Sequence, residues 1–326
     1  HDSDLYRRIL TGGGIAAGET YIEGLWSSPD LTAVTRAFSA NLAMLGAMSD
    51  RQNLLAKTAL KLSHWARRNT SRRSRENISA HYDLGNDFFS LFLDPSMMYS
   101  SAVFPTPDSD LASASQHKLH LLCEDLELKP EDHLVEIGTG WGGMAIYAAE
   151  HYGCRVTTTT ISREQFEYTV DAVAQRGLQD RITVLFDDYR DLTGKFDKLV
   201  SIEMIEAVGH EFYGEYFRTC SALLQPGGKM VIATWCQRST PPAFTPREVV
   251  NLNYLYEEWA HPYFISINDY AMLLKGTMKM DTVETDDWTR QTIASWRHSI
   301  WVGVWDPMPV FSRPRIWYKT LRDIVC

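Results

Sequence analysis

Between about residue 129 and residue 235, short apolar runs alternate with longer stretches in which apolar residues return every three or four positions. The runs are His133–Ile137, Arg155–Thr160, Ile182–Phe186, Lys198–Ile202 and Lys229–Thr234. Short runs bounded by polar turns read as buried strands, and the 3.6-residue period between them reads as helix. Parallel strands need a crossover, and a helix is the compact one, so the pattern predicts a parallel sheet wrapped by helices on both faces. The expected fold is α/β, with its ligand at the carboxyl edge of the sheet. Upstream, residues 1–74 carry Leu, Ala and Met at helical spacing, with glycine breaks at Gly12-Gly-Gly14. The expected division is a helical N-terminal accessory region, 1–75, and a main domain, 76–326. In the latter the cofactor core takes about 115–235 and a substrate-covering segment about 236–326.

The first strand runs into Leu134-Val-Glu-Ile-Gly-Thr-Gly-Trp-Gly-Gly143. Closely spaced glycines let backbone approach a nucleotide with no side chain in the way. In a dinucleotide-binding fingerprint an acidic residue about 20 positions on holds the ribose hydroxyl. Here that place reads Thr157-Thr-Thr-Thr-Ile161, which argues against NAD. The chain offers instead Glu136 before the glycines, Thr160-Ile-Ser-Arg-Glu-Gln165 after the second strand and Asp187-Asp-Tyr189 after the third. This set suits S-adenosylmethionine, which brings an ammonium, a carboxylate and a sulfonium, and has no pyrophosphate to cradle.

A chain of 326 residues makes one large domain or a domain with an appendage. Its five cysteines fall at no metal-ligand or disulfide-framework spacing, so they are expected reduced, in the cytoplasm. No apolar run is long enough to span a bilayer. The chain begins at His1 and ends at Cys326 inside a pattern that can continue, so a targeting segment can lie outside it. The net charge of -9 argues against general nucleic-acid binding. Against that balance, Arg67-Arg-Asn-Thr-Ser-Arg-Arg-Ser-Arg75 precedes the aromatics Tyr82, Phe88, Phe89 and Phe92. It reads as a contact with an anionic lipid surface or as a solvated helix or linker, with a nucleic-acid contact as the weaker alternative.

Five segments then invite a comparison: His81-Tyr-Asp-Leu-Gly-Asn-Asp-Phe-Phe89, Leu93-Asp-Pro-Ser-Met-Met-Tyr-Ser-Ser-Ala102, Glu136–Gly143, Thr160–Gln165 and Glu203-Met-Ile-Glu-Ala-Val-Gly209. In this order, over about residues 1–232, they resemble the cyclopropane-fatty-acyl-phospholipid synthase family of class I methyltransferases. The resemblance implies a Rossmann-like, seven-stranded, mostly parallel sheet behind a helical N-terminal region. It implies cofactor contacts from Tyr99 and Ser100, from the turn with Glu136, Gly138, Thr139, Gly140 and Gly142, from Thr160, Ile161 and Gln165, and from Asp188 and Tyr189 with Arg190. It also implies a lipid acceptor, with the methyl group delivered to the double bond of a phospholipid acyl chain, and leaves room for a homodimer.

The family uses a bicarbonate, held by a small polar set, to take the proton released as the ring closes. Glu206 matches the glutamate of that set. Many members carry cysteine where this chain has Ser101, and some carry histidine near Ala233. If a helix starts at Ile205, Glu206 and His210 share a face, which adds His210 to Glu206 and Ser101 as catalytic candidates. After about Ile232 the chain departs from the family. Ala233–Arg238, Tyr256–Tyr270 and Trp296–Trp305 resemble the C-terminal part of gamma-tocopherol methyltransferases, as if two families were joined. That segment holds seven of the ten tryptophans, which predicts an apolar substrate. C-methylation of a prenylated phenol is thus the alternative to acyl-chain chemistry, with His261 and His298 as further base candidates. A hybrid that binds the cofactor without turnover is the third reading.

Overall fold

A computed structural model describes residues 4–30, 34, 86–90, 92–258 and 263–295. The chain divides into two units, His1–Arg73 with Gly303–Cys326, and Ser74–Val302. In the first, helix α1 (Asp4–Ile22) runs straight through Gly12–Gly14, where a break was expected. Glycine costs a helix interior about 1 kcal/mol relative to alanine, but it removes no hydrogen bond, and three of them do not end this helix.

The second unit carries the sheet. After α2 (Asn86–Phe89) and α3 (Leu111–Leu126) come β1 (His133–Ile137), α4 (Gly143–Tyr152), β2 (Arg155–Thr159), α5 (Arg163–Gln175), β3 (Ile182–Leu185) and β4 (Phe196–Ile202). They are followed by α6 (Tyr213–Leu223), β5 (Leu224–Ala233), α7 (Pro246–Glu258) and α8 (Ile267–Leu273). The five strands are all parallel, in the order β3-β2-β1-β4-β5. Each of the five strands expected from the apolar runs is present. The expected seven are not all found: among the described residues there are five strands, and the described parts of 234–258 and 263–295 form helices and loops.

Alternation along the strands divides the core in two. Leu134, Val156, Ile182 and Val200 face one side, where α3, α4 and α5 cover them with Leu119, Leu122, Met144, Ala148 and Val173. Val135, Ile137 and Leu199 face the other, packed by Tyr216, Phe217 and Cys220 of α6 and by Tyr270 of α8. Strand order reverses between β1 and β4. A crevice opens at such a switch point, outside the carboxyl ends of the strands, and every candidate residue described below lies on a segment that leaves one of those ends or crosses it.

Candidate active site

The turn after β1 needs glycine for two different reasons. Gly138, Gly140 and Gly142 all have positive φ, at 98°, 52° and 86°. At Gly142 a Cβ would stand 2.7 Å from Thr169 Cγ2, so that position is closed by packing. At Gly140 a Cβ would meet nothing within 4 Å, so its backbone faces open space. Open backbone beside the first strand fits the bare face that a nucleoside needs. The amides of Gly138 and Thr139 both donate to the Thr159 carbonyl, at 3.1 and 3.0 Å, which ties the turn to the end of β2.

Glu136 is buried, and its Oε2 accepts from Thr158 Oγ1 at 2.7 Å; Thr158 in turn pairs with Thr139 Oγ1 at 2.7 Å. Burial pushes this carboxyl up to about 8, despite the Thr158 bond that favours its charged form. After β2, Thr160 Oγ1 donates to Gln165 Oε1 at 2.8 Å, and Ser162 caps α5 through the Gln165 amide. Ile161 lies between them, half-buried. After β3, Asp188 is occupied: Oδ1 takes the Arg190 amide and Nε at 3.0 and 2.8 Å, and Oδ2 takes Nη2 at 2.7 Å. Tyr189 packs edge-on against Tyr216, its ring centroid 5.3 Å away. These residues thus gather along one edge of the sheet, where the sequence placed them.

The segment 94–101 crosses the same edge. The Ser96 carbonyl and the Met98 methyl lie 3.0 and 3.2 Å from where a Cβ on Gly143 would stand. The Tyr99 ring meets Trp141 edge-on at 6.0 Å and Phe89 at 5.1 Å, and Trp141 Nε1 donates to Asn86 Oδ1 at 2.7 Å. Ser100 receives a hydrogen bond from Lys118 Nζ. The Ser101 amide donates to Glu203 Oε1 at 2.8 Å. Glu203 sits in the left-handed region at φ 45°, a conformation that costs a non-glycine residue about 1–2 kcal/mol, and its own amide donates to the Ala233 carbonyl at 2.7 Å.

Glu206 lies in a short 3-10 turn, Ile205–Ala207, just after β4. Its Oε1 accepts from Thr234 Oγ1 at 2.7 Å and from the Trp235 amide at 3.0 Å. Its Oε2 is sealed from solvent and has no hydrogen-bond partner among the described residues. Burial, with added repulsion from Glu203, raises the carboxyl to about 7, against the pull of its two donors. Beyond it the Trp235 ring stacks on Phe264 at 10°, and Tyr256 and Tyr263 continue the aromatic wall.

The expected helix face shared by Glu206 and His210 does not form. Gly209, at φ 87°, separates the first 3-10 turn from a second at His210–Phe212. His210 is exposed there, beside Glu211 and Tyr263. Of the groups that a bicarbonate could use, the Thr234 hydroxyl and the Trp235 amide are spent on Glu206, the Ser101 amide is spent on Glu203, and position 233 is alanine.

Sequence reasoning missed Lys118, Thr234 and the tie made by Glu203. Lys118 had a readable signal, since it falls in the apolar stripe of α3 with Ala114, Leu119, Leu122 and Leu126. The basic stretch Arg67–Arg75, Tyr82, His261, His298 and the tryptophans 259, 296, 301, 305 and 317 lie outside the described residues. Trp288 is described: it packs against the core beneath α3 and α4, its Nε1 bonded to Asp286 at 2.7 Å.

The curated protein Tuberculostearic acid methyltransferase UfaA1 of Mycobacterium tuberculosis is 38% identical over 235 residues, covering 70% of this chain and 54% of its own length. Cyclopropane-fatty-acyl-phospholipid synthase of Escherichia coli is 36% identical over 239 residues, covering 73% and 60%. The chain therefore spans just over half the length of these relatives. The crystal structure of mycolic acid cyclopropane synthase CmaA1 complexed with SAH and CTAB aligns with a TM-score of 0.63 at 24% identity, over 77% of this chain and 94% of that one. The fold is that of the class I methyltransferases. The family model described as Mycolic acid cyclopropane synthetase matches residues 69–262, which starts later than the resemblance read from the motifs and runs past residue 232. That match takes in more than half of the sequence and every strand of the sheet, and the chain belongs to the mycolic acid cyclopropane synthetase family.

Proposed function

We propose that this protein transfers a methyl carbon from S-adenosylmethionine to the double bond of a lipid acyl chain, closing it to a cyclopropane when the cation loses a proton from the new methyl group, or leaving a methyl-branched alkene when it loses one from the chain. The observation that carries the reading is a proton-accepting carboxyl beside a bare glycine cradle: Glu206, raised to about 7, stands at the end of β4 across the switch point from Gly138 and Gly140. The names of the curated relatives, a cyclopropane synthase and a fatty-acid-type methyltransferase, support the acceptor class. The SAH held by the structural relative supports the cofactor.

Bound, the cofactor supplies a sulfonium methyl: the alkene π pair forms the new carbon–carbon bond as the carbon–sulfur pair leaves with the thioether. Gly140 presents open backbone for the nucleoside, and Thr139, Thr160 and Gln165 fix the turns beside it through their bonds to Thr158 and to each other. Tyr99 and Trp141 close the cradle from the side of α2. An alkene is a weak nucleophile, so these residues work chiefly by alignment. Trp235, Phe264 and Tyr256 keep water from the cationic carbon and offer it aromatic faces. Glu206 accepts the proton that the new methyl group loses as its C–H pair closes the ring. A carboxyl near 7 is about half ionised at neutral pH, which suits a general base. Ser101 and His210 complete the proposed site set, His210 at its exposed rim. The aromatic wall also favours a second reading, C-methylation of a prenylated phenol.

We place the enzyme at the cytoplasmic face of an anionic membrane, on the strength of Arg67–Arg75; among the described residues no helix is long and apolar enough to cross one. The test is incubation with cofactor bearing a fully deuterated methyl group, with unsaturated phospholipid and gamma-tocopherol in separate tubes, read by mass spectrometry of the lipids. Ring closure discards one deuterium and leaves two; ring methylation of the phenol keeps three. A labelled phospholipid supports the first reading, and a labelled tocopherol alone replaces it with the second. No label in either tube, with the cofactor bound, refutes both.

A further inference from the structure

Helix α3 turns a lysine inward. Lys118 is 2% exposed, in a row of Ala114, Leu119, Leu122 and Leu126. A buried ammonium is costly and persists only with partners. The negative charges of Glu203 and Asp94 favour its protonated form against the cost of burial, and Nζ donates to Ser100 Oγ. Both carboxylates are bound to the same strap: Asp94 accepts the Ser96 amide at 3.0 Å and the Ser96 hydroxyl at 2.9 Å, and Glu203 accepts the Ser101 amide. The strap in turn lies against the glycine turn, through Ser96 and Met98 over Gly143 and through Tyr99 on Trp141.

The direction of the Lys118 bond has a consequence for Ser100. An ammonium only donates, so Ser100 Oγ is the acceptor, and its own O–H is left to donate away from Lys118. A hydroxyl backed by a cation is a strengthened donor and suits an anionic acceptor. The cofactor carries one such group, the carboxylate of its amino-acid end. Arg190, on the β3 side of the cradle, is committed to Asp188 by two side-chain bonds. Although burial lowers Lys118 to about 8, it is still protonated at neutral pH.

We propose that Lys118 is the positioning residue through which the enzyme recognises the cofactor's carboxylate, acting on it by way of the Ser100 hydroxyl. The proposal rests on the reading that S-adenosylmethionine is the cofactor. Its test is calorimetric binding to the full chain of two ligands: S-adenosylhomocysteine, and the decarboxylated analogue that keeps the ammonium and lacks only the carboxylate. Lys118→Met weakens S-adenosylhomocysteine binding on the order of ten- to hundredfold, the scale of a charge-assisted hydrogen bond, and leaves the analogue within about twofold. Ser100→Ala gives the same selective loss, and the double variant is no worse than the poorer single one, as expected of two members of one chain of contacts. Equal losses for both ligands, or a Ser100→Ala variant that binds both like the parent, would overturn the proposal even if Lys118→Met fails to fold. A parent protein that binds neither ligand overturns the cofactor reading, and the proposal with it.

Discussion

Glu206→Gln separates the electrostatic cost of this carboxyl from its use. Glutamine keeps Oε1, and with it the bonds from Thr234 and Trp235, but can neither ionise nor accept a proton. Burial raises Glu206 from 4.5 to about 7. At about 1.4 kcal/mol per pH unit, that rise costs the folded protein about 3 kcal/mol once the unfolded chain is ionised. The sign follows from proton counts. Between pH 4.5 and 7 the folded state holds the proton and the unfolded state has lost it, so the stability Glu206 contributes is present below 4.5 and drains away as pH rises through 7. Urea denaturation at pH 5 and pH 8 should therefore show the variant gaining on the parent by up to about 3 kcal/mol across that interval. Methyl transfer at pH 8 should fall about a hundredfold or more, with S-adenosylhomocysteine affinity within about twofold. In the parent, the rate should decline as pH falls below about 7. A stability gap that does not change with pH would refute the burial argument. An unchanged rate would remove Glu206 from the chemistry whatever the stability data show.

The two open questions about the glycine turn are answered by a pair of alanine substitutions. Gly142→Ala drives a methyl into Thr169 at positive φ and should cost about 2–4 kcal/mol in urea denaturation. Gly140→Ala meets no protein atom; it should cost only about 1 kcal/mol yet weaken S-adenosylhomocysteine tenfold or more by calorimetry, and equal effects at the two positions would contradict the assignment of Gly140 to the ligand side. Glu136 is raised to about 8, so Glu136→Gln should gain stability on the parent as pH climbs from 4.5 to 8 and hold the gain above that. A gain complete by pH 6 would mean that Glu136 is less enclosed than its surroundings suggest.

The sheet was legible because its strands obey one local rule. His133–Ile137 is an apolar run between polar turns, and the strand has those ends. β5 was read too short: Pro226-Gly227-Gly228 has the composition of a turn, yet pairing with β4 starts at Leu224, with a register shift absorbing the irregularity. The cradle was legible for a similar reason, since glycines after a strand carry their geometry in their spacing. What sequence could not supply was the distinction between Gly140, open to a ligand, and Gly142, closed by Thr169, because that depends on a helix 27 residues later in the chain. Lys118 was passed over because a lysine is by default a solvated residue; only its place in an apolar stripe marks it. The Glu206–His210 pairing failed on a local signal that was present, Gly209, which at φ 87° turns the chain between them.

The way Glu206 is held bears on how the substrate side can vary. One of its two donors is the hydroxyl of Thr234, and the other is the main-chain amide of Trp235. A main-chain donor is indifferent to the side chain it carries. The ring at position 235, stacked on Phe264, can therefore be exchanged, and the wall of Tyr256 and Tyr263 rebuilt, without moving the amide that fixes the carboxyl. Lys118 and Glu203 tie the 94–101 strap from α3 and from the end of β4, while the residues just after the strap, Ala102 and Phe104, are tied through their amides to Ser295 and Gln291 beyond β5. Glu206 is thus fixed by one hydroxyl and one amide just beyond the sheet, with Tyr270 of α8 packed in the core beside them. Of the residues beyond it, the side chains of Trp235, Tyr256, Tyr263 and Phe264 form the wall that can vary with the apolar acceptor, whereas Tyr270 and Trp288 serve the core. If Glu206 is the base proposed above, exchanging Trp235 and Phe264 should accordingly shift acceptor preference while leaving the pH dependence of the rate where it was; a shifted pH profile would show that the wall and the carboxyl are coupled.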